Sequence, residues 1–345
     1  MKYIIFLISI MIFILTLSCN QHKNEFYIKQ FPLNLEFRLD ELAADTILPI
    51  KQADIEIMGH HLLIYDSHAK NYVFQLYDMY PLKYLTSFGK IGLGPQEITK
   101  QGFYCIDNIN KTVWIADAGK HNLLRYRIDD VLRGNFHPTE RVPYPINDDM
   151  GVLNFKVGSD NNFINQTFYQ NYLFQRFDLE GNHIEYFGKN FKTDDIHIPI
   201  EKFYFMFTIH SDFSKYALSY TNFDELRILD KNGKVLKSIV GPNQNKNNDP
   251  DYSSYRRIKS TENYIYCHYN GGSRITHTNT GFYPNFGNKL FIFDWSGNPK
   301  AQLIINEPFI NFRVDQKSNR IIFYTPDNHP FKEISFFEEQ LSTLK

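Results

Sequence analysis

Cys19 is the residue whose setting most clearly promises chemistry. It follows Lys2, a nearly unbroken apolar run from Tyr3 to Leu17 and the small Ser18, and the polar Asn20-Gln21-His22-Lys23-Asn24-Glu25 comes directly after it. A basic start, ~15 apolar residues and a small residue before the break are the parts of a secretory signal, and the run is shorter than the ~20 residues a spanning helix needs. A cysteine directly after the small residue is where bacterial lipoproteins receive a diacylglyceryl group. Cys19 is therefore expected to be lipidated and to become the first mature residue. Thr16 stands where leucine is usual in such signals, with Leu15 one place further out; the alternatives are an uncleaved anchor or a plain secretory signal with an incidental cysteine. Burying acyl chains is worth ~0.8 kcal/mol per methylene, so two or three chains would hold the body at a bilayer without a spanning segment.

Elsewhere the common catalytic patterns are missing: there is no Gly-x-Ser-x-Gly elbow, Walker loop or His-Glu-x-x-His helix. Gly92-x-Gly94 runs into Pro95 with no helix pattern to hold a phosphate. Its glycines are read as conformational, with Pro95 stiffening the crossing and Glu97 pairing with a neighbouring unit. His268 and His277 flank Gly271-Gly272, but a catalytic zinc needs three protein ligands and no third suggests itself. No cofactor is expected, although calcium stays open, since single Asp, Glu and Asn residues from different units could assemble a site without any spacing rule. Cys105 and Cys267 lie in apolar segments and read as small buried residues of separate strands, with an exported disulfide as the alternative. The stretch Gly241 to Asn288 breaks the chain's period with extra length and carries Tyr255, Arg256, Arg257, Arg274 and His277. Loops on a rigid scaffold commonly hold binding groups, and tyrosine and arginine dominate interface hot spots. Tyr255, Arg256, Arg274 and His277, together with Glu97, are the candidate binding residues; a plain polar insertion is the alternative.

The elements that must position these groups are strands. Phe and Tyr number 31 and 23 in 345 residues, and both suit half-buried pleated surfaces. Phe177-Asp178-Leu179-Glu180-Gly181-Asn182, Leu229-Asp230-Lys231-Asn232-Gly233-Lys234 and Phe293-Asp294-Trp295-Ser296-Gly297-Asn298 share one pattern. Asp opens and Gly closes a type I turn between an apolar strand and a shorter returning one. Degenerate copies occur at Tyr72 to Phe88 and from Leu123 to Asp129, and each hairpin is preceded by another pair of short apolar runs. Four strands per ~50 residues is the period of propeller blades, which predicts an all-β fold of about six blades. The last unit lacks a clear fourth strand, and an open array would leave raw edges. The alternating Leu33 to Leu39 is expected to supply that strand and close the ring. The resulting organisation is a signal peptide over 1–18, a lipidated tether over 19–30 and one propeller domain over 31–345.

The chain resembles the TolB-like six-bladed propeller lipoproteins of Gram-negative bacteria. The resemblance rests on the signal, on Gly89-Lys90-Ile91-Gly92-Leu93-Gly94-Pro95-Gln96-Glu97 and on Phe293-Asp294-Trp295-Ser296-Gly297-Asn298-Pro299. Family members usually carry a second glycine where Gln96 stands. The resemblance implies fold and location in the cell envelope rather than an activity. A formal net charge of -1 leaves no overall field to recruit nucleic acid. The expected function is a non-catalytic binding or scaffold module, held to the outer membrane by its lipid and facing the periplasm, for a protein, peptide or glycan partner. The alternatives are a propeller hydrolase or lyase with calcium in the central channel and a purely structural envelope component. Convergent carboxylates and amides at one channel mouth would favour the enzyme, an aromatic and arginine rim the binder.

Overall fold

Apolar strands separated by tight turns recur along the chain, and a computed structural model, which describes residues 25–43, 45, 53–144, 152–167, 169–189, 204–243, 249, 251–278 and 281–342, folds them into six antiparallel blades. Cys19 lies outside the described residues. Blades 1 to 5 begin with Ala53–Met58, Gln101–Asp107, Phe155–Val157, Phe205–Ile209 and Tyr252–Ser260, and blade 6 begins with Asn311–Asp315. Their outermost antiparallel strands are Leu82–Lys90, Glu140–Pro143, His183–Lys189, Val235–Val240, Pro299–Ile305 and, in blade 6, Asp40–Glu41. A five-residue helix, Ile128–Leu132, fills the insertion before the last strand of blade 2.

The repeated turns have one geometry. The N–H of Gly181, Gly233 and Gly297 donates to the carbonyl of Asp178, Asp230 and Asp294 at 3.1, 2.9 and 2.9 Å. The Asp carboxylates in turn accept N–H groups two and four residues on, as from Asn232 and Lys234 to Asp230 at 2.9 and 3.0 Å. All three glycines have φ between 76° and 83°, a region that disfavours side chains. Space adds a second reason: a Cβ on Gly233 would lie 2.5 Å from the Gly188 Cα of blade 3, and one on Gly181 2.0 Å from the Pro143 carbonyl oxygen of blade 2. Each turn therefore sits directly on the outer strand of the preceding blade.

Among the described residues, six apolar clusters each join two neighbouring blades. Phe74 and Val73 of blade 1 pack with Tyr104, Val113 and Ile115 of blade 2, and similar clusters join blades 2 and 3, 3 and 4, 4 and 5, and 5 and 6. The ring closes where Ile55, Leu62 and Tyr77 of blade 1 meet Ile322, Tyr324 and Phe331 of blade 6.

Closure by an amino-terminal strand is observed, but through a shorter segment than Leu33 to Leu39. Asp40–Glu41 pairs antiparallel with Lys332 and Glu333 and completes blade 6. Leu33–Phe37 instead runs parallel to Ala301–Ile305 as a fifth strand of blade 5. The reason is its alternation: Leu33, Leu35 and Phe37 turn toward the cluster between blades 5 and 6. Within the segment expected to be tether, Glu25–Tyr27 forms a fifth, parallel strand on blade 4, opposite Ser238 to Val240. The amino-terminal chain thus straps blades 4, 5 and 6 along their outer edges.

Phe31 anchors this strap, with its ring 4.6 Å from Phe291 and 5.7 Å from Phe293. Phe31→Ala is expected to lower unfolding stability by ~3 kcal/mol. Glu36→Ala, on the exposed side of the same segment, should change it by no more than ~0.5 kcal/mol. Urea denaturation of both full-length variants checks this; equal midpoints would show that the strap carries no packing energy.

Candidate functional site

Closing six blades into a ring turns their first strands toward one axis, and strand alternation then aims every second side chain into the channel. At the mouth where these strands begin lies a cavity of about 370 Å³, in the lower part of the range of roughly 300–1,000 Å³ for small-molecule pockets. Polar residues two apart line it from alternate blades: Asp54 and Glu56 from blade 1, Asn154 and Lys156 from blade 3, and Arg257 and Lys259 from blade 5. Gln101, Tyr65, Tyr104, Tyr204 and Met206 complete its wall. A second cavity of about 920 Å³ opens at the opposite mouth. Glu56, Lys156 and Lys259 line both and so form the waist between them.

Glu56 is the hub of this waist. Its carboxylate accepts both Arg313 Nε, at 2.5 Å, and a second guanidinium nitrogen of Arg313, and lies 3.3 Å from Lys259 Nζ and 3.4 Å from the Tyr104 hydroxyl. One carboxylate thereby ties blades 1, 2, 5 and 6. Burial raises the Asp54 carboxyl above the ordinary aspartate range and Glu56 adds to the shift, while Arg257, Arg313 and Lys156 oppose it. Burial likewise pushes the Tyr104 hydroxyl well up, with Asp54 and Glu56 contributing, so it remains a donor. Three polar atoms of the cavity wall are buried without a hydrogen-bond partner: Asp54 Oδ1, Gln101 Oε1 and Arg257 Nε. Among the described residues, no three His, Cys, Asp or Glu side chains converge as a metal-ligand set.

This architecture has counterparts. A family model described as TolB-like 6-blade propeller-like matches residues 48–317. The chain belongs to the TolB-like six-bladed propeller family. Comparison with curated proteins finds no match. Among solved structures, this TolB-like propeller is similar to a member of the DUF4221 family from Bacteroides vulgatus, with 9% identity, 86% of this chain and 94% of that one covered, and a TM-score of 0.58. A protein of Bacteroides fragilis described as exported matches with 13% identity, coverage of 85% and 88%, and a TM-score of 0.54. At such identities these likenesses carry the fold and no activity.

None of the five residues expected to bind lines the axial cavity of the TolB-like propeller. Tyr255 is fully buried in the core between blades 4 and 5, which removes it as a rim anchor. Arg256 lies over the Phe286 ring and donates to the Asn285 carbonyl at 2.9 Å; burial lowers its pKa to about 10, helped by Arg257 and Arg274. Arg274 donates to the Tyr252 carbonyl at 3.0 Å and to Asn222. These two arginines fasten the fifth-blade insertion to its own blade and to blade 4. His277 lies on the hairpin strand Ile275–Thr278, opposite Phe282, and its side chain is outside the described residues. His268 is buried, its ring stacked 3.9 Å from that of Phe309. Glu97 folds back under its own loop, accepting Gly94 N–H at 2.9 Å and pairing with Lys90 at 2.6 Å. Lys120 of blade 2 meets the backbone of that loop, donating to the Gly94 and Glu97 carbonyls at 2.8 Å each. Cys105 and Cys267 are free and buried in separate blades.

The channel residues were missed, although a signal for them exists. Polar pairs two apart interrupt otherwise apolar first strands, as in Asp54-x-Glu56, Asn154-x-Lys156 and Arg257-x-Lys259. Arg257, not Arg256, faces the axis, because the strand Tyr252–Ser260 changes register between Ser253 and Arg257.

Asp224 locks the insertion to blade 4, accepting Asn243 N–H at 2.5 Å and the Tyr269 hydroxyl at 3.0 Å. Burial pushes its carboxyl up to about 6 despite these bonds. A raised folded-state pKa means stability that is fully present below the unfolded value near 3.8 and lost as pH rises through about 6. Asp224→Asn, which mimics the protonated form, is expected to remove this loss, which is of order 3 kcal/mol. Denaturation at pH 4 and pH 8 should show wild type declining more than the variant; parallel declines would refute the assignment.

Proposed function

We propose that this TolB-like propeller is a lipid-anchored binding module of the cell envelope, held to the outer membrane through Cys19, facing the periplasm, and taking a glycan at the channel mouth where the first strands begin. The observation that carries this reading is the axial cavity, with three buried polar atoms lacking partners among the chain's own groups. Buried polar groups left unpaired cost free energy that a ligand can recover. A waist of Glu56, Lys156 and Lys259, with Arg313 bound to Glu56, crosses the channel and suits the cavity to a compact group more than to a threaded peptide. The envelope location is supported by the signal-like start and by the exported description of the Bacteroides fragilis protein. In addition, no helix among the described residues is long and apolar enough to cross a membrane.

A second reading draws on the Asp54 carboxyl, raised by burial two residues from Glu56. Two carboxyl groups whose surroundings push their pKa values apart are the arrangement general acid–base hydrolysis uses. Turnover of a captured glycan, lost in Asp54→Asn while binding persists, would move the function to the enzyme.

Two outcomes test the principal reading. Met206→Trp, filling the cavity from blade 4, is expected to cut retention of envelope glycans by the full-length protein at least about tenfold, whereas Arg274→Ala should change it little. Retention unaffected by Met206→Trp in a folded protein would reject the channel site. For the anchor, intact-mass analysis of the mature protein should show a chain beginning at Cys19 with an acyl adduct, and Cys19→Ala should be released from membranes or left unprocessed. An unacylated chain retaining Met1 would reject the anchor.

A further inference from the structure

Charge at the axis does not balance. Three cations, Lys156, Arg257 and Lys259, line the first cavity together with two carboxylates, Asp54 and Glu56, and Arg313 of blade 6 is bound to Glu56. Glu56 is spent on Arg313 and Lys259, and burial works against ionisation of Asp54. Lys156 and Arg257 are left without an ion pair among the described residues. Arg257 has one hydrogen bond, from NH1 to the Arg256 carbonyl at 3.0 Å, while its Nε is buried and unpartnered. Two cations from blades 3 and 5, with Asp54 as the carboxyl on which both act, therefore line one pocket of about 370 Å³ without an ion pair of their own.

From this charge and shape we infer that the ligand group seated in the pocket is a sugar acid, with its carboxylate between Arg257 and Lys156 and its hydroxyl-bearing ring against the rest of the lining. This rests on the channel mouth being the binding site and adds the chemical class of what binds there. A guanidinium presents paired N–H donors that match a carboxylate, and a lysine adds a point charge. The rest of the lining carries what a polyhydroxylated ring requires. The amides of Asn154 and Gln101 supply donors and acceptors, Gln101 Oε1 having no other partner. The Tyr204 ring, whose hydroxyl donates to Met206 Sδ at 3.5 Å, adds a partly exposed aromatic wall. Asp54 fits the same ligand as a hydrogen-bonding partner for a ring hydroxyl, and burial works against the charge that would repel the acid.

Calorimetric titration of the full-length protein in detergent tests this with D-glucuronate, D-galacturonate and N-acetylneuraminate as acids, and with D-glucose and D-galactose as neutral counterparts. At least one acid is expected to bind at least about tenfold more tightly than its neutral counterpart, with affinity falling as salt rises. Lys156→Met and Arg257→Gln should each weaken that acid at least about tenfold, and Arg257→Lys should weaken it less than Arg257→Gln. Because neither cation holds an internal ion pair, the thermal midpoints should stay near wild type, which separates lost binding from lost folding. Equal binding of acids and neutral sugars, no binding of any acid, or acid binding indifferent to both substitutions would each overturn the sugar-acid assignment. In those cases a persisting effect of Met206→Trp on glycan retention would leave the channel site standing, whereas acid binding unaffected by Met206→Trp would reject the channel itself.

Discussion

Each of the main apolar clusters of this protein is shared between two blades, and the rest of the structure follows from that constraint. A four-stranded sheet with an apolar face must bury it against a neighbour, and each neighbour presents a second face that must be buried in turn. Only a closed ring satisfies all six, and the cluster of Ile55, Tyr77, Ile322 and Phe331 is where the chain's two ends meet this requirement. The repeated Asp-x-x-Gly turn serves the same end. Its glycine adopts a positive φ, and it lets the turn lie on the outer strand of the preceding blade, where a Cβ at Gly233 would collide with backbone.

Closure concentrates polar groups where the core cannot use them. Along each first strand one face packs between blades and the other looks into the channel, so Asp54, Glu56, Lys156, Arg257, Lys259 and Arg313 are brought together from across the sequence. Cations held so near one another repel unless a carboxylate lies among them, and in low-dielectric surroundings that repulsion is strong. Glu56 meets the need for Arg313 and Lys259 and joins four blades in doing so. Lys156 and Arg257 lie beyond its reach, and this residual charge gives the pocket its chemical character.

The amino-terminal strap and the fifth-blade insertion solve a different problem. Outer strands of a propeller are edges that could pair with other chains. Glu25–Tyr27 and Leu33–Phe37 cover the outer strands of blades 4 and 5, and Asp40–Glu41 supplies the last strand of blade 6. Around the insertion, Arg256 and Arg274, with Asp224 of blade 4, are spent on hydrogen bonds within the protein. Arginine was informative about interaction, but the partners Arg256 and Arg274 engage lie within the protein itself.

Local patterns in the chain were enough to determine the strands, the turns, the four-strand period and the number of blades, because strand alternation and a glycine turn are properties of a few adjacent residues. The need for an amino-terminal strand to close the ring was equally legible, since an incomplete last unit announces itself by counting. Which segment closes it was not: Leu33–Phe37 has the better strand pattern, yet its apolar side finds a deeper surface on blade 5, and that surface exists only once blades 5 and 6 are packed. The site was hidden for the same reason. Asp54, Lys156 and Arg257 are about a hundred residues apart and nothing local links them; they become neighbours because six first strands share one axis. Tyr255 and Arg257 differ by two residues, but a register change within their strand sends one into the core and the other into the channel. Such a choice is made by the packing of whole blades and leaves no mark on the residues themselves.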